Sequence, residues 1–361
     1  MSREGRARRV AAAAVYGGSG LGMLGAAMVG LIAGEIKLAR RWIGQPFGTA
    51  GPGADGVYGA GRGEPLVLAM LGDSTSVGLG ANLPGETPGA VMATGLAALS
   101  GRSVVLREAG RVGGRSEELA GQVERLLTEG PKPTVAVIMI GANDVTRRTR
   151  PSVAVRWLEG AVRRLVEEGV EVVVGTCPDL GTIEPIAYPL RYLARRWSRQ
   201  LAAAQTIAAV EAGGRTVSLG DLLGPQFSAH PKELFSSDRF HPSAAGYARA
   251  AAAMLPAVAS ATGYWPTDDR RPDTRAGDRI DDIATAAVHA VDTAGTEVTG
   301  AEVSGSDRGP QGRWVLLRRR RQPVAQPGPA PAVRPVEEAA ASPQARPTVS
   351  TTTPRSAAET G

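Results

Sequence analysis

The chain has 361 residues, 43% hydrophobic but only 4% aromatic, with 47 Gly and 26 Pro; this suits one globular domain of ordinary size with non-globular ends. Its net charge of +6 does not point to nucleic acid, because the arginines fall at the N-terminus, at scattered helical positions and in the run Arg318 to Arg321, without an aromatic-interleaved basic patch or a binding motif. The single cysteine, Cys177, excludes an intrachain disulfide and a cysteine-rich zinc site.

After the basic "MSREGRARR" comes an uncharged stretch from Val10 to Gly34, which as a helix is long enough to cross a bilayer. Residues 1–44 therefore read as a basic segment followed by a transmembrane anchor, or as a signal peptide removed on secretion. Arg3, Arg6, Arg8 and Arg9 ahead of the stretch outnumber Lys37, Arg40 and Arg41 behind it, a slight bias toward an inside N-terminus and an extracytoplasmic domain. Residues 45–64 are rich in Gly and Pro and read as a linker. The "GAGRG" they contain follows no strand and has the wrong spacing for a dinucleotide fingerprint.

From residue 65 the pattern alternates. "PLVLAML", "SVVLREA", "TVAVIMI", "VEVVVGT" and "RTVSLG" are short runs of Val, Ile and Leu, separated by helical patterns such as "SVAVRWLEGAVRRLVEEG" and "LRYLARRWSRQLAAAQTIAAVEAGG". Nearly continuous apolar strands predict a parallel sheet covered on both faces, a three-layer α/β/α sandwich over residues 65–263. Ligands of such sheets bind at the carboxyl ends of the strands. In residues 264–321, "DRIDDIATAAVHAVDTAG" has helical periodicity and "RWVLLRRRR" reads as a short strand or a membrane-surface basic patch. Residues 322–361 have the composition of a disordered tail.

Four loops at the strand ends carry chemistry. "GDSTSVG" places Ser74 after the first strand, "EAGRVGGRS" follows the second, "GANDV" places Asn143 after the third, and "DRFH" places Asp238 and His241 before the last helical stretch. A serine hydroxyl is a weak nucleophile until a base within hydrogen-bond reach takes its proton, and a carboxylate on the other imidazole nitrogen fixes the base's tautomer. D-x-x-H supplies both from one turn. Alone, "GDS" is a common turn and "GAND" a closed strand end. The other histidines, His230 and His289, lack a carboxylate three residues before them. Cys177 reads as a wall residue of the cleft rather than a nucleophile, and Met92, Met139 and Met254 as core.

In order and strand context, from about Pro65 to Ser260, these stretches resemble an SGNH hydrolase of the GDSL esterase/lipase superfamily. The resemblance implies a flavodoxin-like α/β sandwich and a serine esterase with Ser74 as nucleophile, His241 as base and Asp238 as its partner. It also implies an oxyanion hole of Ser74, Gly113 and Asn143, with no metal and no cofactor. Thr75 stands where the motif has Leu. Gly113 is taken by spacing among Gly110, Gly113 and Gly114, and Asp73 and Asp144 are expected to orient the turns. The implied partner is a small-molecule, lipid or glycan acyl ester, with the membrane engaged through the N-terminal helix, no nucleic acid, and an oligomeric state left open. Lipase, deacetylase, thioesterase and acyltransferase all remain open, beside a non-catalytic envelope protein that binds glycan or lipid on the same scaffold.

Overall fold

The computed structural model describes residues 27–39, 41–44, 46–220 and 225–264, with residues 287–288, 291, 297–298, 300–302 and 315–317 beyond them. The sequence readings for residues 1–26, for His289, for most of 265–321 and for the tail from 322 lie outside the described residues.

Residues 27–39 form a helix, α1. Strands β1 (Gly56–Tyr58) and β2 (Leu66–Gly72) lead to helix α2 (Pro88–Ser100), strand β3 (Val104–Glu108), helix α3 (Leu119–Thr128) and strand β4 (Val135–Met139). Next come the short α4 (Ala142–Thr146), α5 (Pro151–Glu167), β5 (Glu171–Gly175), α6 (Leu190–Glu211) and β6 (Arg215–Val217). The short α7 (Pro225–Ala229) and α8 (Pro231–Leu234), the long α9 (Ala244–Ala261) and strands β7 (Glu297–Val298), β8 (Gly300–Glu302) and β9 (Val315–Leu317) follow.

The sheet order is β1-β3-β2-β4-β5-β6-β7, with β3, β2, β4, β5 and β6 parallel to one another. The expected parallel sheet is corrected to a mixed one. At one edge β1 pairs antiparallel with β3, and at the other β7 pairs antiparallel with β6. The β1 edge lies inside the segment read as a linker. It is tied in by Ala54 N–H donating to Glu108 Oε2 at 2.9 Å and by Tyr58 OH donating to the Ala54 carbonyl at 2.7 Å. In the C-terminal extension, β8 and β9 make a separate antiparallel pair, so "VLL" is a strand.

Alternation along the central strands builds three layers, because successive side chains leave a strand on opposite faces. Leu68, Met70, Val135 and Val137 pack with Met92, Leu96 and Met254 of α2 and α9. Ala69, Leu71, Ala136 and Ile138 pack with Leu119, Leu158 and Leu165 of α3 and α5. Strands buried on both faces read as unbroken apolar runs for this reason.

The N-terminal anchor is revised. Residues 27–34, the last third of the uncharged stretch, begin a helix that continues through the charged Glu35 and Lys37 and packs Ile32, Ile36 and Ala39 against the domain. Glu35 Oε2 accepts from Leu190 N–H at 2.9 Å, at the first residue of α6, where the open N–H groups of a helix N-terminus favour a carboxylate. No helix among the described residues is long and apolar enough to cross a membrane.

The end of β2 is held by a single buried side chain. Gln122 Oε1 accepts from Gly72 N–H at 2.8 Å, and Gln122 Nε2 donates to the Gly72 carbonyl at 2.9 Å. A buried backbone group without a partner costs about 1–3 kcal/mol. Gln122→Ala takes this partner from Gly72 N–H, while the Gly72 carbonyl still accepts from Arg111 N–H at 3.1 Å; the variant is therefore expected to lose about 1–3 kcal/mol in urea unfolding, and a loss indistinguishable from zero contradicts the clamp.

Candidate active site

Ser74 and, 167 positions away from it, the turn that carries Asp238 and His241 meet in one hydrogen-bonded line. Ser74 Oγ lies 2.9 Å from His241 Nε2, and His241 Nδ1 lies 2.6 Å from Asp238 Oδ2. An ionised carboxylate only accepts, so the proton on the imidazole sits at Nδ1, and Nε2 is left to accept from the serine hydroxyl. Ser74 and Asp238 are buried, while His241 is partly open to the cleft.

Local structure explains the placement. Gly72, with φ of +131°, ends β2 where an added Cβ would lie 1.8 Å from the Met139 carbonyl oxygen, so only glycine fits. The turn then closes through Ser76 N–H to Asp73 O at 3.1 Å and Leu79 N–H to Ser74 O at 3.0 Å. On the other side, Asp238 Oδ1 accepts from Ser236 Oγ at 2.7 Å and from the N–H groups of Phe240 and His241, each at 2.9 Å. Arg239 takes a left-handed φ of +55° to make this turn. Ser243 caps α9 immediately afterwards, its side chain accepting from Gly246 N–H, which fixes the histidine loop to a long helix.

The remaining candidates gather at the same strand ends. Asn143 Nδ2 donates to the Gly114 carbonyl at 3.0 Å, which orients the amide and leaves its second hydrogen free for a ligand. Asp144 Oδ2 accepts from both Ser116 N–H and Oγ, at 3.1 and 2.8 Å, tying the glycine loop to the asparagine loop as expected of a turn-orienting residue. The three glycines divide their roles. Gly113 has φ of +78° and open space around a would-be Cβ, whereas a Cβ on Gly110 would meet Ser76 Oγ at 2.1 Å and one on Gly114 the Arg111 carbonyl at 2.9 Å.

An open cleft of about 760 Å³, counting its mouth, adjoins Ser74, Asn143 and His241, and its other walls are mostly apolar, among them Ile140, Leu180, Ile183 and Phe227. Cys177 is buried behind this wall, which its neighbours Thr176 and Pro178 line. Burial raises its thiol pKa well above the usual value, which keeps it from acting as a nucleophile. His230 is exposed at the start of α8 and has no part in the site. Among the described residues no group of three or more His, Cys, Asp or Glu side chains could hold a metal ion.

Sequence reasoning missed Ser236, Gln122 and Gln205. Gln205 bridges the ends of two strands, donating to Ile140 O at 3.0 Å and accepting from Cys177 N–H at 2.7 Å. A polar residue inside the apolar stripe of α6 was the available signal.

The carboxylates differ electrostatically. For Asp238, burial pushes the pKa up, but the hydrogen bond and charge of His241 and the backbone N–H donors outweigh it, leaving the group below its ordinary value. Burial raises Asp73 to about 6, against the opposing Thr75 hydrogen bonds and the His241 charge. Burial likewise raises Asp144.

The chain is similar to several known proteins. Residues 70–249 match the GDSL-like Lipase/Acylhydrolase family. The chain is 42% identical over 262 residues to the GDSL-like esterase Rv1075c of Mycobacterium tuberculosis (strain ATCC 25618 / H37Rv), covering 70% of this chain and 82% of that protein. Among solved structures, it is similar to TesA at 22% identity, 54% of this chain, 99% of that one and a TM-score of 0.43. It is also similar to AlinE4, an SGNH-hydrolase family esterase, at 24% identity, 55% of this chain, 98% of that one and a TM-score of 0.40.

The raised Asp73 pKa has a testable consequence. A carboxyl whose folded pKa lies above its unfolded value of about 3.9 contributes stability at low pH that is lost as pH rises through the folded value, here about 6. Asp73→Asn cannot ionise. Its melting temperature minus that of the native protein is therefore expected to rise between about pH 4 and about pH 7 and then level off. A difference that stays flat over that range contradicts the buried, raised carboxyl.

Proposed function

The chain belongs to the GDSL-like lipase/acylhydrolase family and is a carboxylic ester hydrolase, and we propose that it cleaves acyl or acetyl esters through Ser74, His241 and Asp238. The reading is supported chiefly by the hydrogen-bonded line from Ser74 Oγ through the His241 imidazole to Asp238. His241 Nε2 takes the hydroxyl proton as Ser74 Oγ attacks the carbonyl carbon. The anionic oxygen that forms is stabilised by Ser74 N–H, Gly113 N–H and the second hydrogen of Asn143 Nδ2. The ester C–O bond then breaks, the alcohol leaves with the proton from Nε2, and the acyl group stays on Ser74. Water, deprotonated by Nε2, attacks the acyl-serine in turn, releasing the acid and restoring the hydroxyl. Asp238 stays ionised, holding the imidazole and offsetting its charge. No step needs a metal or a cofactor.

His241→Ala is expected to lower ester turnover by at least about 10³-fold and to abolish labelling of Ser74 by a fluorophosphonate, whereas His230→Ala keeps most of both. Equal loss in the two variants overturns the assignment of the base. Absence of labelling in the native protein removes the activated serine altogether and leaves the scaffold as a binding protein.

The N-terminal sequence adds a location. The uncharged run from Val10 and the outward apolar side chains of α1, Met28, Val29 and Leu31, support a domain held at a membrane. The arginines before the run support an extracytoplasmic placement. The full-length protein is expected to stay with membranes through high salt and carbonate. Release by salt alone reduces the association to adsorption, and a mature N-terminus beyond Gly34 makes the segment a cleaved signal.

A further inference from the structure

A second hollow, of about 630 Å³ counting its mouth, lies beside the catalytic cleft and shares two wall residues with it, Leu180 and Phe240. Its roof is α1 and the residues just after it, through Ile36, Ala39 and Ile43; its floor includes Ala194 and Trp197 of α6. The lining is mostly apolar, with Thr146 and Arg148 its polar members, and the Arg148 guanidinium lies over the Trp197 ring.

Both shared walls are held in place. Leu180 follows Asp179, whose buried carboxylate pairs with Arg195 at 3.0 Å and Arg199 at 3.4 Å on α6. Leu180 N–H also donates to Ser198 Oγ at 3.2 Å. Phe240 stands edge-on to the His241 ring, with centroids 4.8 Å apart and planes at 82°. The roof is fixed by the bond from Leu190 N–H to Glu35 Oε2 at the head of α6. An apolar chamber bounded by the side chain that packs on the catalytic imidazole, and closed by a helix from outside the hydrolase core, has the chemistry of an alkyl-chain site.

Resting on the serine-esterase reading above, we propose that an alkyl chain of the ester runs from the reacting carbonyl at Ser74 past Leu180 and Phe240 into this hollow, with α1 as its roof. The protein then takes esters with medium-length chains, and α1 takes part in choosing them. Each methylene moved from water onto apolar walls is worth about fourfold in kcat/KM. The gain continues until the hollow is full.

The test uses the full-length protein and two ester series, p-nitrophenyl esters of two- to twelve-carbon acids and acetates of two- to twelve-carbon alcohols. Ala39→Phe fills the hollow from the roof and Ala194→Phe from the floor; Ile36→Ala enlarges it. Circular dichroism and urea midpoints establish that each variant is folded. In the native protein kcat/KM is expected to climb from two to about eight carbons in one of the series. Both filling variants should lower the ratio of eight-carbon to two-carbon kcat/KM at least tenfold in that series, and Ile36→Ala should move the optimum to longer chains. A response confined to the p-nitrophenyl series assigns the hollow to the acyl chain, and one confined to the acetates assigns it to the alcohol. A native preference for two to four carbons in both series, or a ratio unmoved by both filling variants, overturns the proposal while leaving the serine mechanism standing. Failure of the serine mechanism shows separately, as no ester turnover and no fluorophosphonate labelling of the native protein.

Discussion

The site depends on a close approach between two strand ends. At Gly72 the backbone of β2 passes so near the Met139 carbonyl of β4 that a methyl group would lie 1.8 Å from its oxygen. The next residue, Asp73, uses that nearness by donating its N–H to the same oxygen at 3.0 Å. These two strands flank the point where chain connections turn to opposite sides of the sheet, the place where an open α/β sheet leaves a crevice. Ser74 and Asn143 therefore enter one crevice from adjacent strands. Glycine is required at position 72 by space and by φ together, and Gln122 holds the junction by meeting both polar groups of that residue.

Around this junction the protein buries three carboxylates, and their surroundings separate them by task. Asp73 and Asp144 accept bonds from backbone and hydroxyl donors in their own or a neighbouring loop, and burial leaves both more readily protonated than usual. Asp238 alone faces an imidazole, and it alone of the three has its pKa lowered. An ionised Asp238 is what keeps the Nδ1 proton in place and Nε2 open toward Ser74. The turn-forming carboxylates and the one beside the imidazole are thus distinguished by their partners rather than by burial, which all three share.

Of the five central strands, β2, β4 and β5 were legible as nearly unbroken buried apolar runs, and the partly exposed β3 and β6 from shorter apolar stretches. The edge strands were not. "GVY" of β1 lies in a Gly-rich stretch and largely faces solvent, and its pairing rests on contacts such as Ala54 to Glu108 across 54 positions. Ser74, Asn143, Asp238 and His241 were legible because loop chemistry and order mark them. Gln122, Gln205 and Ser236 were not, since a glutamine inside a helix has no signature until the strand end it meets is known. Gly113 could be chosen only by spacing; positive φ and open space now distinguish it from its neighbours, which are glycines because their surroundings exclude a side chain.

The N-terminal helix shows how one pattern serves two environments. Apolar residues all round a helix read as a membrane segment, and sequence alone registers the lack of charge from Val10 to Gly34 without revealing that part of it docks elsewhere. The docking is set by Glu35, which meets the head of α6 at Leu190, 155 positions away. Around that contact the helix divides, with Ile32, Ile36 and Ala39 inward and Met28, Val29, Leu31 and Leu38 outward. An inward face that roofs a hollow bounded by Phe240, the neighbour of His241, and an outward apolar face belong to one rigid element, because a helix cannot turn one face without turning the other. On the readings proposed above, whatever holds the outward face at a surface also fixes the roof over the hollow, which ties the proposed location and the proposed choice of ester chain to the same thirteen-residue stretch, 27–39.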